Sequence, residues 1–331
     1  MNDAQHLEKW SNDEGIPKQE IPILCGDLRR KVVFPHFNYL SSLGISSLGI
    51  SSFVISLTIG CATLLAEQPQ DLTAENALPA SVRVVHGRPN RLLDGTGWIL
   101  GTPNKLALWD RRADNHSISP ATETRLVEYL EENNLDTVLV RVNQYDPLGE
   151  WRRMVANKQV GAGWRYSIGT LNLVKYTLLP GRLLGGDWYN PYSDTVHIYS
   201  DIPAIALSEG AYAKDVRKRK YPGSYSAVQE VPIVGMWHET IANREVLEYE
   251  KSHGTKEQQE ETYRILYPDY GGTWGGQMAS FLPYGNVFGR LAGAAVGHAA
   301  NGVRTVTAHE KKTSTTKLFK NLGNKKQWHF H

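Results

Sequence analysis

Residues 195–217 read TVHIYSDIPAIALSEGAYAKDVR, and this stretch decides how the rest of the chain is interpreted. Its first five residues, 195–199, alternate in character and form a short run, which is typical of a strand at the edge of a sheet. Ser200 then offers a helix cap, and Pro203 follows in the first helical turn. The stretch therefore predicts an edge strand that leads directly into a helix ending near Lys218.

This helix and a later one carry the residues with chemical potential. Ser208 and Tyr212 are four positions apart on the first helix, so they lie on one face, with Glu209 beside them. A second helix is predicted over roughly 231–249, and it contains the sequence ETIAN at 239–243. Two helices that present a carboxylate each could together surround a metal ion or a polar ligand.

The two helices resemble the gluzincin class of zinc metallopeptidases, whose first site helix carries H-E-x-x-H and whose second supplies a glutamate from E-x-x-A-[DN]. The resemblance implies a zincin-like α+β domain with a small sheet, an edge strand and two site helices. It implies that Glu209 is the general base and that Glu239 is a metal ligand. It also places Ser208 and Tyr212 at the positions of the two histidine ligands.

The departures from the motif predict that the site has lost its metal. A serine hydroxyl and a tyrosine phenol are poor zinc ligands at neutral pH compared with imidazole. We therefore expect no cofactor, zinc being expected only if the protein is active, and Glu209 and Glu239 are interpreted as relics. His238 is not expected to replace a ligand, because it points about 100° away from Glu239 around the helix.

A former peptidase groove still predicts a partner. An extended peptide or protein would pair with the edge strand, in contact with Ile198 and Tyr199, and with Asn243 from the second helix. Two other interpretations stay open. One is an active metal-dependent hydrolase with non-standard ligands, and the other is a structural envelope protein whose body has no site and which self-associates through a glycine-spaced helix near its C-terminus.

The sequence of residues 67–270 predicts strands followed by helices, which is typical of an α+β domain. Strands are expected at 81–85 and 137–142, and extended segments at 98–108 and 171–179. A helix is expected after the cap residue Ser119. Residues 187–192 are interpreted as a loop.

The N-terminal region, residues 1–66, predicts contact with a membrane. Residues 37–66 contain no charged side chain, and the basic residues 29–31 precede them. This pattern predicts either a cleaved signal peptide or an uncleaved transmembrane signal anchor, and in both cases an extracytoplasmic body; a buried core helix is the remaining alternative. Cys25 and Cys61 are the only cysteines, which excludes a disulfide scaffold.

The C-terminal region changes in composition after a glycine-rich segment, 271–276, that predicts a hinge. Within the segment 271–302, four glycines recur every fourth residue and form one stripe on a helix: Gly285, Gly289, Gly293 and Gly297. The stripe predicts either close packing against another helix, in the same chain or in a second copy, or a hairpin that enters or lies on a membrane. Residues 303–331 are basic and are expected to form a flexible tail.

Composition limits the function classes further. The chain has 331 residues, of which 41% are hydrophobic and 21% charged, so wholesale disorder is excluded. A net charge of +2 argues against a dedicated nucleic-acid binder.

Overall fold

The computed structural model describes residues 82–231 and 234–326. The predicted signal or anchor segment at 37–66 lies outside these residues. Within the described part of the chain, no helix is both long and apolar enough to cross a membrane.

The sheet has four strands in the order β1-β2-β4-β3, and it confirms the α+β class. Three strands are parallel, namely β1 (Arg83–His86), β2 (Leu139–Val142) and β4 (Thr195–Ile198). The fourth, β3 (Trp188–Asn190), runs antiparallel to β4 and forms one edge. The prediction that 195–199 is an edge strand is therefore wrong, because β2 and β3 flank β4 on both sides. The edge strand lies instead in the segment 187–192, which was predicted to be a loop.

The helices before β2 differ in part from the sequence prediction. α1 (Arg91–Leu100) and α2 (Thr102–Leu108) replace the predicted extended segment at 98–108. α1 begins because the side chain of Asn90 accepts hydrogen bonds from two backbone N–H groups of its first turn. α3 (Pro120–Glu132) begins as predicted, capped by the side chain of Ser119.

Every secondary-structure element between β2 and β3 is a helix. It contains α4 (Pro147–Ala156), α5 (Ala162–Trp164), a π-helical turn (Arg165–Gly169), α6 (Thr170–Leu178) and α7 (Gly181–Leu184). The predicted extended segment at 171–179 is wrong. Its buried residues, Asn172 and Tyr176, are four positions apart, which is the spacing of one helix face.

Five helices follow β4. They are α8 (Pro203–Arg217), α9 (Pro222–Gln229), α10 (Met236–His253), α11 (Lys256–Met278) and α12 (Gly285–Lys326). α8 is the central helix of the core, with residues buried on all sides along most of its length. It packs against α3 and α10 and follows the sheet directly, so its side chains are held on every side.

α11 and α12 form a helical hairpin whose close approach depends on glycine. An added Cβ on Gly289 would lie 2.2 Å from the backbone oxygen of Gly275, and one on Gly293 would lie 2.0 Å from that of Gly271. Gly285 and Gly297 face the same helix, so α11 of the same chain covers the whole predicted stripe. The predicted hinge at 271–276 is wrong, because those residues continue α11 without a break. The backbone of the predicted flexible tail is helical as far as Lys326.

Candidate functional site

The two helices that carry the predicted motifs lie directly against each other. Ser208 on α8 and Asn243 on α10 are both buried, and the Ser208 hydroxyl donates to Oδ1 of Asn243 at 3.4 Å. The carboxylates of the two motifs also interact, since the charge of Glu239 acts on Glu209. The structure thus brings together residues that are about thirty positions apart in the sequence.

Glu209 lies in a group of carboxylates that we call the carboxylate cluster: Asp187, Glu209, Glu239 and Asp269. Burial raises the pKa of Glu209 well above its usual value, and the negative charges of Glu239 and Asp187 raise it further. A backbone hydrogen bond from Tyr189 on β3 acts in the opposite direction. Glu209 therefore holds its proton to a higher pH than an exposed glutamate does.

Asp187 precedes β3 and belongs to the same cluster. Burial and the nearby charge of Asp114 raise its pKa to about 7. Its Oδ1 atom accepts hydrogen bonds from the backbone N–H groups of Tyr199 and Ser200, the latter at 3.0 Å, which oppose the shift. These bonds fix the carboxyl group at the point where β4 ends.

Asp269 on α11 completes the cluster. Burial raises its pKa, and the charge of Glu239 adds to that effect. The guanidinium of Arg290 on α12 lies 3.0 Å from Oδ1 of Asp269 and lowers the pKa without cancelling the shift. The cluster therefore gathers negative charge from three helices and the start of an edge strand.

Tyr212 forms the aromatic side of the site. Its ring stacks on that of His238 with centroids 4.1 Å apart, and it meets Tyr189 edge-to-face at 5.4 Å. His238 lies close to Glu239, with Nε2 3.6 Å from Oε1, and its Nδ1 is 3.2 Å from Oε1 of Gln229. Sequence reasoning took His238 to point away from the site, but α10 turns its ring onto Tyr212.

The donor set does not fit a zinc ion. Burial raises the pKa of Tyr212 well above that of a free phenol, so this side chain stays neutral. Ser208 is buried and its hydroxyl is used by Asn243. Within residues 82–231 and 234–326, no group of three or more His, Cys, Asp or Glu side chains is arranged to hold a metal ion. A zinc site at this place would need other ligands at positions 208 and 212.

The residues predicted to contact a peptide are not on a free surface. Ile198 and Tyr199 are 1% and 0% exposed, and β4 has a neighbouring strand on each side. Asn243 is buried against Ser208. The predictions for Ile198 and Tyr199 are wrong because they depended on β4 being the edge strand, whereas Asn243 is held between α8 and α10 by its contact with Ser208. Within the described residues β3 pairs with β4 alone, so the edge beside Glu209 belongs to β3.

A cavity of about 630 Å³ lies elsewhere, at the carboxyl ends of β1 and β2. It is lined by His86, Asp94, Trp98, His116 and Asn143 among others, and by none of the residues predicted from the sequence. Ligands of sheets with parallel strands often bind at this end of the strands. The signal that could have revealed it is the position of His86 and Asn143 just at or after two strand ends.

Several polar groups of this cavity are bonded to each other. The Asn143 amide nitrogen donates to Oδ1 of Asp94 and to the backbone oxygen of His116, both at 3.1 Å. Its oxygen therefore faces Nδ1 of His116, at 3.0 Å, and that nitrogen is the donor. Both residues have positive φ angles, 57° for His116 and 47° for Asn143. Among the described residues, Nε2 of the lining residue His116 is a buried polar atom that has no hydrogen-bond partner.

No family model, curated protein or solved structure matches this chain. The structure by itself defines a mostly helical α+β protein with a small four-stranded sheet.

Proposed function

We propose that this chain is a metallopeptidase-like protein without peptidase activity, which binds a peptide or protein partner beside its former catalytic glutamate. The proposal includes a zincin-like ancestry for the body and a membrane-tethered or exported state through residues 37–66. The observation that carries it is the meeting of the two motif helices, in which Glu209 and Glu239 interact and Ser208 bonds to Asn243.

The position of β3 supports the same proposal. The antiparallel edge strand lies next to α8, where Tyr189 contacts both Glu209 and Tyr212. Among the described residues no strand pairs with the outer side of β3, so an extended chain that adds there would take the place of the bond between the Tyr189 backbone and Glu209. The groove for a partner is thus assigned to β3 and α8 rather than to β4.

The carboxylate cluster indicates what the partner carries. Burial and neighbouring carboxylates raise the pKa values of Asp187, Glu209 and Asp269, and the guanidinium of Arg290 lies 3.0 Å from Asp269. A lysine or arginine side chain, or a peptide N-terminus, would relieve their mutual repulsion. Binding of such a cation would release protons from Glu209 and Asp187, so affinity should rise with pH through about 7.

The first experiment is elemental analysis of the full chain, purified without chelator, beside the double variant Ser208→His, Tyr212→His. We expect the double variant to bind about one equivalent of zinc more than the wild type, because two imidazoles and Glu239 would supply three ligands. A variant that folds with an unchanged circular dichroism spectrum and gains no zinc would overturn the gluzincin resemblance.

Partner binding is tested separately with a displayed library of random extended peptides. Wild-type protein should enrich sequences with a basic residue, and the variant Glu209→Gln, Glu239→Gln should lose that enrichment. The matched control is Glu128→Gln, Glu131→Gln, which removes two exposed carboxylates from α3. Equal enrichment in all three proteins would contradict the proposal.

A further inference from the structure

The turn of the α11–α12 hairpin is free of charge over twenty residues. No Asp, Glu, Lys, Arg or His occurs from residue 270 to 289. The two charges that flank this segment, Asp269 and Arg290, pair with each other at 3.0 Å across the base of the hairpin. We call residues 270–289 the hairpin tip.

The hairpin tip exposes large apolar side chains. Phe281, Leu282 and Phe288 are 74%, 62% and 68% exposed. Met278, Tyr284 and Val287 are also among the exposed large hydrophobic residues. Six such side chains within eleven residues form a surface that soluble monomers rarely present to water.

Most backbone N–H and C=O groups of the hairpin tip are hydrogen-bonded within the chain. The helical bonds of α11 and α12 satisfy most of these groups, and the turn adds hydrogen bonds from the N–H groups of Ala279, Leu282 and Gly285. The close contact of Gly275 with Gly289 keeps the two arms together without large side chains between them. A lipid-exposed segment needs such internal satisfaction of its polar groups.

A further exposed aromatic residue lies on α10, which contacts the base of the hairpin tip. The Thr240 hydroxyl on α10 hydrogen-bonds to that of Tyr270, the first residue of the hairpin tip, at 2.8 Å. Trp237 precedes Thr240 by one turn and is 67% exposed. Exposed tryptophan beside an apolar tip is typical of proteins that contact the membrane interface.

We propose that the hairpin tip inserts into one leaflet of a lipid bilayer. The uncharged part of α11, residues 270–278, is about 13 Å long, and that of α12, residues 285–289, is about 7 Å long, so the tip is long enough to enter the outer part of one leaflet. The hairpin tip carries no charged side chain, so its insertion into the hydrocarbon core would bury no charge. The lysines of the basic tail begin at Lys311, about 40 Å from the start of α12 along the helix, so the tip itself carries no group that would attract anionic lipid.

The chain outside the described residues supports the bilayer as the occupant. The thirty uncharged residues at 37–66 end fifteen residues before the described body begins at Val82. Fifteen residues span at most about 50 Å, so a bilayer that holds 37–66 is within reach of the body. The proposal is independent of the groove beside Glu209.

The test places an environment-sensitive NBD fluorophore at the tip of the full chain. In a Cys25→Ser, Cys61→Ser background, Ser280→Cys carries the label, and Ser252→Cys on α10 is the matched control. Both proteins are reconstituted into neutral phosphatidylcholine vesicles, with and without brominated acyl chains. We expect a shift of emission to shorter wavelength and quenching by brominated lipid at position 280, and neither at position 252.

A second variant separates insertion from other causes. Phe281→Asn with Phe288→Asn, two changes at exposed positions, should abolish the quenching and leave the urea unfolding midpoint unchanged. Equal signals at 280 and 252 would overturn the proposal. So would a shift that brominated lipid does not quench but that grows with protein concentration, because that result would assign the surface to a second copy of the chain.

Discussion

Tyr212 and His238 stack face to face between α8 and α10, with ring centroids 4.1 Å apart and planes 21° from parallel. The ring nitrogens of a histidine lie on its edge, so a stacked His238 cannot direct a lone pair at an atom bound by residue 212. Its Nδ1 is also within 3.2 Å of Gln229. Glu239 is therefore the residue of α10 that could act as a metal ligand between α8 and α10.

The variant with histidine at positions 208 and 212 loses the tyrosine ring of this stack but keeps Gln229 beside Nδ1 of His238, so we expect Glu239 to supply its third zinc ligand. Adding Glu239→Gln should remove the bound zinc, because an amide oxygen is a far weaker zinc ligand than a carboxylate. Adding His238→Ala should leave about one equivalent bound. Elemental analysis of the two triple variants decides the matter, and loss of zinc with His238→Ala alone would reverse the assignment.

The carboxylate cluster predicts that stability falls as pH rises. Burial is the first cause of the raised pKa values of Asp187, Glu209 and Asp269, so the folded state keeps protons that the unfolded state has lost. The free energy of unfolding should therefore decrease from about pH 4 to about pH 7, by at most about 1.4 kcal/mol per pH unit for each group. Urea unfolding at several pH values measures the slope.

The variant Asp187→Asn isolates one group of the cluster. An asparagine oxygen can still accept the backbone hydrogen bonds from Tyr199 and Ser200, but it does not titrate. We expect a shallower slope between pH 5 and 7 and a higher stability than wild type at pH 8. Glu131→Gln, at an exposed position on α3, should leave the slope as it is. An unchanged slope in Asp187→Asn would mean that the group ionises normally.

Local sequence signals predicted the elements that depend on neighbouring residues. Ser119 and Pro120 start α3, β-branched residues form β2, and the stretch 195–217 becomes a strand and then a helix. The contact between the two motif helices is what the resemblance to the gluzincins implied, and the spacing of 208 and 212 placed those two residues on one helix face.

Pairing between distant segments could not be read from the sequence. β1, β2 and β4 are each separated by more than fifty residues, and no local pattern shows that β3 covers the free side of β4. Asp187 and Asp269 join Glu209 for the same reason, through the tertiary fold alone. The glycine stripe was visible, but its partner within the chain became known only when α11 proved to be continuous.

The buried pair of Arg141 and Glu150 predicts a strong effect on stability. Arg141 Nε donates to Oε1 of Glu150 at 2.7 Å, and the two residues are 4% and 1% exposed. Ser193 donates to the same carboxylate at 2.5 Å. Glu150→Ala would leave a buried guanidinium without its main partner, so we expect a loss of about 3–5 kcal/mol in the free energy of unfolding.

Glu248→Ala is the matched control for this pair. Glu248 bonds to Arg244 at 2.9 Å, but both side chains are more than half exposed. Exposed ion pairs contribute little to the free energy of unfolding, so urea unfolding should show no measurable change in stability for Glu248→Ala. Similar losses in the two variants would mean that the surroundings of Glu150 are far more hydrated than its burial implies.

The α11–α12 hairpin predicts opposite effects for two glycines of the same helix. In Gly293→Ala the added Cβ would lie 2.0 Å from the backbone oxygen of Gly271, so the arms must separate, at a cost of about 1–3 kcal/mol. In Gly302→Ala nothing lies within 4 Å of the added atom, and alanine should stabilise α12 by about 0.5–1 kcal/mol. Urea unfolding of both variants measures the difference. If Gly293→Ala were as stable as Gly302→Ala, the close backbone contact between α11 and α12 at Gly271 and Gly293 would be contradicted.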